Sequence, residues 1–321
     1  LCSAQHSIES IKAWSVYFTD HSEFTDDCAG CLWGSDIDAT TTATSISPPV
    51  NGFGTAANHP HSLLVLPNHV LLLATHYGFF RSEDGGISWK EMAGGSGEVM
   101  EELMTYSLTS SPLDHQRLYV LAEQVTSTLK STPGLYSSSD QGRSWKMLYP
   151  SSASGNMFMV AAGNDNPNEV YIYLDDLGAL GLKVSKDGGH HFTSTGKLPF
   201  SSFTQLLAIP GAPGHLLVAS SGGGAHWQVN KEITGGILSL TTSGPGGPIY
   251  ASGDEGIYVS HNGGTSFTLV YNKSSLGEIV VAPTQPETLY AKTGTALYRS
   301  TDGGHTWADI PRVKGSVQSG S

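Results

Sequence analysis

Charge is scarce in this chain of 321 residues. Only 14% of its residues are Asp, Glu, Lys or Arg, where a soluble domain usually carries about 25%. Sixteen basic against 28 acidic residues leave a net charge of −12, and no local run of Lys and Arg offsets it, so a nucleic-acid partner is not expected. Long apolar runs are also missing. The longest candidates, such as Val70 to Ala74, have strand length, far below the roughly 20 residues of a spanning helix, so no membrane span is expected. Cysteine is confined to Cys2, Cys28 and Cys31. The Cys28-Ala-Gly-Cys31 pair has no second CxxC and no βαβ surroundings; a structural disulfide using two of the three stands beside a redox pair or half a zinc site.

What the chain does have is 39 Gly and 16 Pro, with 38% hydrophobic and 9% aromatic residues. Such a chain is rich in turns yet able to bury a sizeable core, which disfavours both a helical bundle and wholesale disorder. It opens at Leu1 rather than Met and is rich in Ser, Thr and Gly. The expectation is a mature chain without its signal peptide, secreted, periplasmic or at the cell surface.

Internal repetition carries most of the information. Five segments share one pattern: Ser82-Glu-Asp84-Gly-Gly-Ile-Ser-Trp89, Ser138-Ser-Asp140-Gln-Gly-Arg-Ser-Trp145, Ser185-Lys-Asp187-Gly-Gly-His-His-Phe192, Ser260-His-Asn262-Gly-Gly-Thr-Ser-Phe267 and Ser300-Thr-Asp302-Gly-Gly-His-Thr-Trp307. A degenerate copy ends at Trp227. The aromatic residues are spaced by 56, 47, 35, 40 and 40 residues, the length of a four-stranded propeller blade. Asp or Asn before Gly-Gly makes a tight turn whose side chain accepts backbone N–H groups while glycine supplies positive φ. The aromatic five residues after the Asp or Asn then opens the next strand and buries its ring between sheets. Strand-like runs precede each turn, giving units of strands A, B, C and D with the motif in the C–D turn.

These segments resemble Asp-box, or BNR, repeats, and the chain is similar to the bacterial Asp-box β-propellers described as sialidase-like or glycosyl hydrolase-like, over about residues 58–312. The resemblance implies an all-β, six-bladed β-propeller of four-stranded blades, or seven blades if the N-terminal extension (residues 1–57) contributes one, with a tail at 313–321. It does not fix a function, since Asp boxes occur in sialidases, xyloglucanases, sortilin-type receptors and photosystem assembly factors. Sialidases grip their substrate with three arginines. This chain has only Arg81, Arg117, Arg143, Arg299 and Arg312, none where a pore-facing clamp belongs, and no Arg-Ile-Pro motif, so sialidase chemistry is not expected. Xyloglucanases, with two propellers in about twice this length, and ten-bladed receptors do not fit the size of the chain.

Counting from the repeated turns places His76, Glu123, Asp175 and Asp254 near the ends of B strands, at turns expected to surround one mouth of the central pore. His59 and His61 precede the first A strand, and antiparallel pairing returns the chain from His76 to His61. His59, His61 and His76 with nearby carboxylates could hold a divalent metal, Zn, Cu or Mn, through nitrogen and oxygen. They equally fit turn capping and rim hydrogen bonding, or a metal-free catalytic histidine. Met100 and Met104, near Tyr106 at the start of the second A strand, leave copper as a minor option. The expected function is a ligand-binding or hydrolytic site for a small molecule or carbohydrate. Glu123, Asp175 or Asp254 would be the base for a metal-bound water, or two of them a glycosidase pair. The alternative is a noncatalytic scaffold for a protein partner. Two regions are irregular: the fourth unit has no room for a C strand between Ala219 and Trp227, through Ser220–Gly224, and residues 1–57 could cap the propeller or lend it an outer strand.

Overall fold

The computed structural model describes residues 14–17, 60–124, 130–151, 157–197, 205–209, 211–220, 228–230, 233, 236–273, 276–293 and 296–310. The cysteines, His59, Trp227 and the tail at 313–321 lie outside the described residues. The fold is an all-β propeller of four-stranded blades. Sheets are numbered here by the chain position of their innermost strand. The first is Pro60–Leu66, Val70–Thr75, Phe79–Ser82 and Lys90–Ala93; the second Leu103–Ser111, Asp114–Gln124, Gly134–Ser138 and Lys146–Pro150; the third Met157–Ala162, Val170–Leu174, Leu182–Ser185 and Thr193–Ser194. The fifth is Ile237–Thr242, Ile249–Gly253, Gly256–Ser260 and Thr268–Tyr271, and the sixth Glu278–Ala282, Gln285–Lys292, Leu297–Ser300 and Ala308–Asp309. All five are antiparallel meanders.

The fourth sheet is built differently. Its order is Gln205–Ala208, Leu216–Ser220, Trp14–Tyr17 and Gln228–Asn230, with Trp14 opposite both Leu217 and Gln228 in parallel pairings. The stretch between Ser220 and Gln228 is too short to hold a third strand and its turns. The N-terminal region supplies that strand, in the third place rather than the outermost one.

Second strands are buried along their length because neighbouring sheets cover both faces: Leu71–Ala74, Leu118–Ala122, Val170–Tyr173 and Leu289–Ala291 are all buried. That is why they read as continuous apolar runs instead of alternating ones. The core is accordingly divided into clusters between adjacent sheets. One joins Leu72 and Phe79 to Leu118 and Trp145; another joins Leu63 and Leu71 to Tyr290 and Leu297, closing the ring from sixth sheet to first.

The repeated turns lie between third and fourth strands. In the first, Asp84 Oδ1 accepts from the N–H groups of Ile87 and Ser88 at 3.0 and 2.8 Å and from Ser82 Oγ at 2.8 Å, while Ser82 Oγ accepts from Gly86 N–H at 2.8 Å. Asp140 and Asp187 anchor the same set, while Asp302 and, in neutral form, Asn262 keep the serine hydroxyl and the second N–H. The first of the two glycine positions is not always glycine: Gln141 holds a φ of 62° where Gly85 has 73°. The aromatic anchors are not equally buried, contrary to expectation. Trp145 and Phe267 are buried, but Trp89, Phe192 and Trp307 are half-buried. Their rings lean on the preceding sheet from outside, as Trp307 does edge-on to Tyr271, with centroids 6.5 Å apart.

Candidate functional site

The innermost strands follow one another around a closed ring and enclose a central cavity of about 490 Å³. Each has an edge unpaired by its own sheet, whose N–H groups need acceptors. Preceding sheets supply them: Ser62 Oγ to Leu108 N–H at 3.3 Å, Ser107 Oγ to Val160 N–H at 2.9 Å and Ser239 Oγ to Ile279 N–H at 2.9 Å. At the junction of sixth and first sheets a glutamate takes that place. Glu278 accepts from Leu63 N–H at 3.1 Å and from Ser62 Oγ at 3.1 Å, and its carboxylate is 3.5 Å from Lys292 Nζ. Lys292 also donates to Pro60 O at 3.1 Å. Burial pushes the Glu278 carboxyl up, against the opposing pull of Lys292 and the Ser62 hydroxyl.

His61 and His76 stand side by side at one mouth of this cavity. His61 Nε2 and His76 Nδ1 are 3.3 Å apart and the ring centroids 5.5 Å. The position follows from a bulge: Pro60 pairs with Thr75 and Ser62 with Ala74, which leaves His61 as the extra residue. His76 also meets the exposed Tyr77 ring edge-on at 5.1 Å. Next along the ring, Tyr106 lines the cavity, and its phenol is pushed far above the ordinary range by burial and then by the Glu123 charge. Glu123 is the last residue but one of the second strand of that sheet, opposite Met104. Asp175 opens the short helical turn Asp175–Leu180 after the second strand of the third sheet; its side chain lies outside the described residues.

Asp254 occupies the corresponding turn of the fifth sheet. It is exposed in the turn after the second strand of the fifth sheet, where its carboxylate accepts from Gly236 N–H at 2.6 Å and its own N–H donates to Gly236 O at 3.0 Å. Glu123 and Asp254 sit three sheets apart, on opposite sides of the ring, each about one strand spacing, roughly 4.8 Å, outside the cavity wall. Of the six residues singled out from the sequence, His61 lines the cavity, while His76, Glu123 and Asp175 follow at neighbouring strand ends; among the described residues no group of three or more His, Cys, Asp or Glu is set to hold a metal ion. Sequence reasoning missed Glu278 and Lys292. The available signal was an acidic residue opening an A strand where Ser62, Ser107 and Ser239 stand in other units.

No helix among the described residues is long and apolar enough to cross a membrane, and no protein-family model matches the chain. The chain is 30% identical to a xyloglucanase of Hypocrea jecorina over 227 residues, 64% of this chain and 26% of that enzyme. It thus spans about a quarter of that relative's length, and the comparison of sizes made above does not count against a resemblance to part of such an enzyme. Among solved structures, the chain is similar to the tricorn protease, with a TM-score of 0.50 and 13% identity over 82% of this chain and 27% of that one. It is also similar to YCF48 bound to D1 peptide, with a TM-score of 0.47 and 16% identity over 80% and 82% of the two chains.

Proposed function

We propose that this chain is a glycosyl hydrolase-like propeller of the Asp-box class, secreted or at a cell surface, with six blades of which the fourth is completed by Trp14–Tyr17. A saccharide lies across the mouth of the cavity over the first three sheets. The observation that carries this reading is the contiguous arc of titratable residues there: His61 beside His76, then Tyr106 with Glu123, then Asp175 at the equivalent strand end. The 30% identity to a xyloglucanase supports the substrate class. With Asp254 on the far side of the ring, Glu123 and Asp175 are the carboxyls left to act as acid and base, and the histidines orient the sugar hydroxyls.

A metal-assisted form of the same reading draws support from one distance. Two ligands on a tetrahedral ion with bonds of roughly 2.0–2.1 Å lie about as far apart as the 3.3 Å between these two imidazole nitrogens. His61 and His76 would be two ligands of Zn, Cu or Mn, with His59 as the third. Reducing-end release from xyloglucan is the test. Glu123→Gln and Asp175→Asn should each lower turnover by about 10²–10⁴-fold, the usual contribution of general acid–base groups. Turnover that survives both substitutions contradicts the assignment, and binding without turnover in the unmodified protein makes the mouth a noncatalytic binding surface. Elemental analysis of protein purified without chelators separates the metal form from the metal-free one.

A further inference from the structure

Arg81 and Arg299 hold the same place in their sheets, each just before the serine of a repeated turn, and the structure treats them differently. Arg81 is buried, pairs across its sheet with Leu72, and reaches the next sheet: its Nη1 donates to Gln141 O at 2.6 Å and its Nε to Glu83 at 3.1 Å. Arg299 pairs with Tyr290, whose ring holds the guanidinium 5.9 Å from its centroid. It is exposed and, among the described residues, forms no ion pair. Gly85 is the first-sheet counterpart of Gln141. Where a side chain like that of Arg81 would bridge the junction, an open cavity of about 650 Å³ lies between Arg299 and Gly85.

The groups around it have a definite chemistry. His69, in a left-handed turn with φ 60°, bonds through Nδ1 to Tyr290 Oη at 2.9 Å. Half-buried Trp307 supplies an indole wall and Ile87 an apolar rim. Two nearby carboxylates are already engaged: Asp84 by the N–H groups of its own turn, Glu83 by Arg81 and Arg143. Asp309, exposed at the rim, opposes every negative charge brought in, so Arg299 can offset one carboxylate and not several. A guanidinium without an ion-pair partner binds carboxylate through two parallel hydrogen bonds, and an indole wall suits the apolar face of a sugar ring.

We propose that this junction binds a saccharide bearing a single carboxylate, a uronic-acid unit, with the carboxylate on Arg299 and the ring against Trp307. The saccharide class rests on the reading given above; the residues do not overlap with it. The test is calorimetric titration with xylotriose and with xylotriose carrying one glucuronic acid branch. The acidic probe should bind at least tenfold more tightly than the neutral one. Arg299→Ala should abolish that ratio, Arg299→Lys should keep part of it, and Glu123→Gln should leave it unchanged. Equal affinity for the two probes, or a ratio that survives Arg299→Ala, overturns the proposal. A ratio lost in Glu123→Gln but kept in Arg299→Ala also overturns it, placing the acidic saccharide at the channel mouth. Loss of turnover on xyloglucan bears on the channel mouth alone.

Discussion

The turn side of the propeller and the channel mouth are made from the same repeat, yet they use it in opposite ways. On the turn side the same residue types make the same bonds from sheet to sheet: a serine hydroxyl and a carboxylate, or in one case the Asn262 amide, collect the N–H groups of the turn. At the mouth, corresponding strand ends carry His76, Glu123, Asp175 and Asp254. Where hydrogen-bond geometry dictates the residue, the five described copies converge, because an unpaired buried N–H costs about as much as a lost hydrogen bond. Where the turn is solvated, the copies diverge, and divergence is where recognition chemistry can enter.

Trp145 offers the strongest way to break that comparison. Its ring is buried edge-on against Phe79, with centroids 4.7 Å apart, and its Nε1 has no hydrogen-bond partner among the described residues, so packing is its main contribution. Trp145→Ala should cost about 3–5 kcal/mol in urea unfolding. The half-buried Trp307, which donates to Gly304 O at 2.9 Å, should cost clearly less. Equal losses would mean that the anchors are interchangeable after all.

Asp140 comes next. It accepts from Ser138 Oγ, Arg143 N–H, Ser144 N–H and Ser144 Oγ, and because three of these four bonds are exposed, Asp140→Ala should cost about 2–3 kcal/mol, toward the low end of the net worth of a hydrogen bond. The same bonds give the turns a pH signature. The Thr306 hydroxyl and N–H and the Ser300 hydroxyl hold the Asp302 carboxyl at about 2, below the ordinary value of 3.8. A depressed carboxyl stabilises the fold above its unfolded value and loses that contribution as pH falls through the folded one. The melting temperature should therefore drop between about pH 4 and pH 2. Asp302→Asn, which copies Asn262, should shrink the drop; an unchanged acid limb would show that the turns do not govern it.

Smaller effects sharpen the contrast. Gln141→Gly should raise stability by about 1 kcal/mol, since a left-handed φ of 62° strains any residue with a Cβ. His76→Ala should move the melting temperature little, because a half-buried mouth residue packs against little, while weakening saccharide binding. A large loss of stability with binding intact would make the histidine pair structural.

The repeat was legible in the sequence because each bond in the turn demands a particular residue type at a fixed offset. The adjacency of His61 and His76 was legible too, since antiparallel pairing carries one turn back to the other. The origin of the third strand in the fourth sheet was not: a missing strand shows in the spacing, but a replacement roughly 200 residues distant leaves no local pattern. Nor was the role of Glu278: an acidic residue at a position held by serine in other units was there to be seen, but its target, the Leu63 N–H, is 215 residues away in the chain. Asp254 looked equivalent to His76 by counting, and the structure spends its carboxylate on Gly236 N–H. Register predicts where a strand end lies, not which backbone group it will meet.

Hydrogen exchange read by mass spectrometry, with and without xyloglucan oligosaccharide, tests the assignment of the channel mouth most directly. Slowed exchange should fall on the segments around His61–Leu63, Thr75–Tyr77, Met104–Tyr106 and Glu123, with the repeated turns unaffected. Protection confined to the turn side, or shared equally by the fifth and sixth sheets, would contradict a site built over the first three.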